Sequence, residues 1–194
     1  ALEDGKDSSR SRPRALRVKG TLRRRQHRID SALQQLSEAL TAARQIDDRP
    51  EEVRVLRESA LALALSREPE RGLQVIDEAK ALCERNGDSG RRARPSVWFA
   101  WGCVLAACQR WEAADQVLQE AAALCADPGL GQQLWGPWIW YQRAFIAYQQ
   151  QRYERCREQA LSALEGFTEF QHRYGAAHCR LLIGRAHLAE SALE

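Results

Sequence analysis

Residues 98–121 read WFAWGCVLAACQRWEAADQVLQEA, and this stretch decides the fold. It places small residues at Gly102, Ala114 and Ala121, at offsets of 12 and 19 from the first. The same offsets recur at Gly20, Ala32 and Ala39, at Ala60, Gly72 and Ala79, and at Ala144, Cys156 and Ala163. Set-to-set steps are 40, 42 and 42 residues, and Gly184 continues the series 40 after Ala144. A fixed period of this length is the mark of a helical-repeat array, in which each unit stacks on its neighbours.

Composition agrees with helices. Ala, Leu, Glu, Gln and Arg dominate, residues that lose little freedom in a helix, and alternating Val/Ile/Thr runs are absent. The chain is therefore read as all-α, an α-solenoid of about 4.5 helix–turn–helix repeats. Hydrophobic content of 44% is enough for a core, and charged content of 28% is that of a soluble protein. No apolar run approaches the ~18 residues of a membrane span, and the start lacks a signal peptide's apolar region. The six cysteines form no CxxC and no zinc spacing. They read as buried free thiols in a reducing, cytoplasmic setting. The sequence contains no Met, not even at its start, which reads as a piece of a longer chain.

Residues 1–12 are Ser-, Asp- and Gly-rich and are expected to be a flexible lead. The repeat domain is expected over 13–194, with units at about 13–48, 50–87, 95–127 and 133–169 and a partial unit at 171–194. Helix one is expected to open at Pro13, because proline suits a first turn. Asn86 to Pro95 is expected to be the longest interruption, with helix five starting near Ser96. Gly131 is expected in the loop before helix seven.

Trp98, Gly102, Trp111, Ala114, Leu118 and Ala121 resemble the tetratricopeptide repeat. Leu16, Gly20, Ile29, Ala32, Leu36 and Ala39 fit the same pattern, as do Trp140, Ala144, Tyr153, Cys156, Ala160 and Ala163. The second unit departs most, with Pro69 and Gly72 where an aromatic and Ala are usual. The period also exceeds the common 34 residues. Longer units of this kind resemble the sensor regions of bacterial signalling ATPases and MalT-like transcription regulators. The resemblance implies a regulatory part of a larger protein, and an Arg-rich composition with only Lys6, Lys19 and Lys80 is compatible with a bacterial source.

By the same resemblance, the first helix of each unit lines a concave groove. The implied groove residues include Arg14, Arg17, Arg24, Arg54 and Arg57 toward one end and Phe99, Trp138, Tyr141, Phe145 and Tyr148 toward the other. Helix nine adds His178, Leu181, Arg185 and Leu188. Guanidinium groups offer paired donors to carboxylates, and aromatics supply apolar area with polar edges. The expected partner is a protein or peptide with acidic and bulky apolar residues. Two plainer readings stand beside this one: arginines on a solvated helix face, and aromatics packed against a neighbouring segment.

Two other classes compete. From Arg10 to Arg28 there are nine Lys/Arg and no acid, whereas net charge over the whole chain is +3. That run makes nucleic acid the alternative ligand, although no base-reading motif accompanies it. An enzyme is disfavoured: there is no Gly-rich phosphate loop, no HExxH and no Gly-x-Ser-x-Gly elbow. His27, His172, His178 and His187 are the only histidines, and no cofactor or metal is expected.

Overall fold

Sequences this rich in helix formers, cut by short polar turns, give nine α-helices and no strand among the described residues. The computed structural model describes residues 2–130 and 133–192, with side chains for 11–127, 129–130 and 134–192. The helices are α1 (Leu2–Arg25), α2 (Ile29–Gln45), α3 (Arg49–Leu63), α4 (Glu70–Arg85), α5 (Gly87–Ala107), α6 (Trp111–Cys125), α7 (Gly136–Gln149), α8 (Tyr153–Glu169) and α9 (Arg173–Ser191). Two 3-10 turns, Pro128–Leu130 and Gln133–Trp135, precede α7.

The turns repeat as strictly as the small residues. His27, Asp47, Gln109, Gln151 and Gln171 all take left-handed backbone, with φ between 52° and 58°. After each, the next N–H reaches the carbonyl five residues back: Arg28 to Arg23, Asp48 to Ala43, Arg110 to Leu105, Arg152 to Ala147 and His172 to Phe167, at 2.7 to 3.0 Å. That bond satisfies carbonyls a helix end would otherwise leave bare. Arg28 and Arg152, at equivalent places, share φ −91° and ψ 69°. His27, Gln109 and Gln151 are spaced by the same period, since 82 is 40 plus 42. Asp47, Gly87 (φ 51°) and Gln171 follow it too, with steps of 40 and 84.

All twelve small positions of the four sets are buried. Only residues without bulk beyond Cβ let helix backbones approach this closely. The helices group into two compact units, Ala1–Arg110 and Trp111–Glu194. In the N-terminal unit α3 packs on α1, α2, α4 and α5, and α1 on α2. Its core includes Leu36, Ala39, Val55 and Ala62, with Leu16, Leu33 and Leu40 against them. In the C-terminal unit α7 packs on α6, α8 and α9, and α8 on α9.

Two helix starts differ from expectation. Helix α1 opens at Leu2 and runs through the stretch expected as a lead, so Pro13 lies inside it. Pro13 is buried, and helix continues across it at the cost of one backbone bond. Ala1 lies outside the described residues, as does Gly131. Helix α5 opens at Gly87 rather than near Ser96, absorbing most of the expected interruption. The reason is close packing at Gly90: a Cβ there would lie 2.0 Å from the Cys83 carbonyl oxygen. Glycine lets the first turn of α5 lie directly on the end of α4.

Candidate functional site

Helices α1 and α3 bring the N-terminal arginines together, but on glutamates rather than in the open. Arg17 and Arg24 stand seven apart on α1, and Glu51 and Glu58 seven apart on α3, so each set lies on one face. Arg17 Nε donates to Glu51 Oε1 at 2.5 Å, and Arg54 Nη1 to Glu51 Oε2 at 3.0 Å. Arg24 Nη2 donates to Glu58 Oε2 at 3.1 Å, and Arg57 Nη2 to Glu58 Oε1 at 2.7 Å. Glu51 is 2% exposed and Glu58 4%, and carboxylates this deep need such partners. Burial works against the Glu58 carboxylate, but Arg57 and Arg24 outweigh it and hold its pKa below the ordinary value.

Four of the five arginines expected to meet a partner's acids already have ion pairs within the chain. Arg17, Arg24, Arg54 and Arg57 meet acids of their own chain, and only Arg14 stands exposed without taking part in the ladder. Four guanidinium charges against two carboxylates leave +2, so the ladder remains cationic. One donor of each arginine, however, is already committed to a glutamate. A third buried glutamate, Glu52, accepts from Arg44 Nε at 2.7 Å, and Arg44 also pairs with Glu78. Sequence reasoning missed all three glutamates. For two of them the signal was present: Arg17–Glu51 and Arg24–Glu58 are each separated by 34 residues, as is Arg44 from the exposed Glu78, whereas Glu52 lies only eight after Arg44.

The aromatics divide. Phe99 is 8% exposed in α5, a core side chain of the N-terminal unit, and does not join an open surface. Trp138, Tyr141, Phe145 and Tyr148 lie along one stripe of α7 in the C-terminal unit, at steps of 3, 4 and 3, all half-buried. Tyr141, Phe145 and Tyr148 pack on Ala144, Ala147, Cys156 and Leu182. Trp138 packs edge-on against Phe167 (4.8 Å) and His172 (5.4 Å). Tyr141 meets His178 of α9 at 5.8 Å, and His178 in turn meets Tyr174 at 4.4 Å. Burial pushes the Tyr141 hydroxyl pKa upward. Tyr174 had no place in the sequence reading, because it precedes the residues that define the repeat.

Beside the stripe, Asp115 of α6 binds Arg143 Nε and Arg155 Nη2, both at 2.7 Å. Burial opposes its charge, yet Arg143 and Arg155 hold its pKa below the ordinary value. The Arg143 guanidinium also lies 5.0 Å from the Trp140 ring centre. Four cysteines are buried, and among the described residues no cluster of His, Cys, Asp and Glu has the arrangement of a metal site. Nor is any described helix long and apolar enough to cross a membrane.

No protein-family model matches the chain, and no curated protein matches it.

Proposed function

We propose that this chain is a non-catalytic recognition module: a tetratricopeptide-like right-handed superhelix that seats a partner polypeptide on the exposed edges of the α7 aromatics. The observation that carries the reading is the stripe Trp138, Tyr141, Phe145 and Tyr148. Each side chain packs against the core and keeps part of its surface exposed. Rigid aromatics of this kind lose little freedom on binding and dominate interface energetics. Support for the architecture comes from the buried small residues and from turns that recur with the same period. The arginine ladder serves this reading as a tie between α1 and α3. The position suggested by the long period, a sensor part of a larger bacterial regulator, belongs to the same proposal.

The test is capture of partners from a lysate, with and without nuclease, by wild type and by F145A/Y148A. A protein partner that survives nuclease and is lost in the variant, with helicity unchanged, supports the reading. Capture that vanishes with nuclease and ignores the variant overturns it and moves the ligand to the Arg10–Arg28 run.

A further inference from the structure

Helix α9 carries an exposed apolar seam with a seven-residue repeat. Tyr174, Leu181 and Leu188 are 62%, 54% and 75% exposed. Three residues after each stands a small, exposed residue: Ala177, Gly184 and Ser191. Large and small residues alternating at 3 and 4 are the a and d positions of a helix–helix seam. Gly184 adds a comparison internal to the fold. Its equivalents Gly20, Ala60, Gly102 and Ala144 are all buried, whereas a Cβ on Gly184 would meet nothing within 4 Å. This is the one described member of the series with no neighbour against it.

The borders of the seam are basic. Arg173, Arg180 and His187 directly precede the three apolar residues, and His178 and Arg185 follow the first two by four. Among the described residues Arg173, Arg180 and Arg185 take part in no ion pair, and the helix's Glu190 is held by Arg157. Charges flanking a seam select its partner. A second copy of α9 would set one basic border against another, so the borders disfavour self-pairing. An acidic helix meets cations on both sides.

We propose that α9 docks an acidic amphipathic helix of a partner polypeptide, with large apolar residues seated over Ala177 and Gly184 and carboxylates against Arg173, Arg180 and Arg185. This names a partner chemistry for the recognition reading and rests on it, but uses α9 rather than the α7 stripe.

The probe is a synthetic peptide of about three heptads with Leu at a and d and Glu at e and g. Its twin carries Lys at e and g. Calorimetric titration into the 194-residue chain should show the acidic peptide binding at least about tenfold more tightly than the basic one, with the gap shrinking at high salt. R173E/R180E/R185E should reverse the preference. L181E should abolish binding with circular dichroism unchanged, while F145A/Y148A should retain it. Equal binding of the two peptides, no binding of the acidic one, or indifference to L181E overturns the proposal. So does sedimentation in which wild type is a dimer and L181E a monomer, since the occupant is then a second copy. Loss of peptide binding in F145A/Y148A alone assigns the peptide to α7 and also overturns it.

Discussion

Replacing Glu58 by Gln tests whether the arginine ladder holds the N-terminal unit together. The carboxylate accepts from Arg24 at 3.1 Å and Arg57 at 2.7 Å and is 4% exposed. Two charge-assisted bonds at about 1.5–3 kcal/mol each set a range of about 3–6 kcal/mol. The two arginine side chains retain 17% and 13% exposure, so water recovers part of their solvation and the lower end applies. We expect a loss of about 3 kcal/mol at pH 7. With a urea slope of about 2 kcal/mol per M, the midpoint falls by about 1.5 M, read by circular dichroism. The pH dependence follows from the direction of the shift. Because the folded pKa of Glu58 is lowered, its contribution is full above the unfolded value of about 4.3 and disappears as pH falls through the folded value. The gap between wild type and E58Q should therefore be constant from about pH 7 to 5 and shrink below about pH 4. Replacing the whole triad, as R24M/R57M/E58L, should recover most of the loss, since apolar side chains need no counter-charge. A cost below about 1 kcal/mol for E58Q, or a gap that persists undiminished into acid, refutes the argument.

Four further outcomes are expected. G90A should destabilise by about 3 kcal/mol or more in urea unfolding, because its Cβ meets the Cys83 carbonyl rather than a yielding side chain. Q109G and Q151G should each raise stability by about 0.5–1 kcal/mol, since glycine relieves the left-handed φ of 58° at these turns. Asp115→Asn should cost about 1 kcal/mol, less than E58Q because Asp115 is more open to water, as a urea comparison will read. With a thiol reagent at about pH 8, Cys108 should label first and C108S should remove that phase. Burial raises its pKa least, while Cys83, Cys125, Cys156 and Cys179 are pushed to about 11 and Cys103 to about 12.

The helices were legible because their signal is local. Ala114, Leu118 and Ala121 on one face say where α6 turns its core side, and every equivalent small residue is buried. The starts of α1 and α5 were not legible, for a common reason. Pro13 and Pro95 suit a helix's first turn but also occur within one, and sequence alone does not rank the two. Gly90 reads as a breaker in isolation. Its role depends on the Cys83 carbonyl packed against it, a contact that only the tertiary structure supplies. Likewise, left-handed turns at Gln109, Gln151 and Gln171 lack the glycine that usually announces them.

The arginines show where a residue-by-residue reading of a site fails. Arg17 and Arg24 of α1 reach across to Glu51 and Glu58 of α3, and Arg54 and Arg57 bind the same two glutamates from within α3. On α9, Arg173, Arg180 and Arg185 form no ion pair among the described residues, and their helix's only glutamate belongs to Arg157. The same side chain is a structural tie in the first setting and a solvent-exposed charge without an ion pair in the second. For Arg17 and Arg24 what makes the difference is the acid brought opposite by the fold, so such positions must be read as pairs. Glu51 and Glu58 sit 34 residues after Arg17 and Arg24. Applying that offset to Arg143 reaches Ala177, and applying it to Tyr141 reaches Gly175, so the C-terminal unit has no second ladder of this register. Cations outside any ion pair among the described residues thus lie along α9, as Arg14 does on α1.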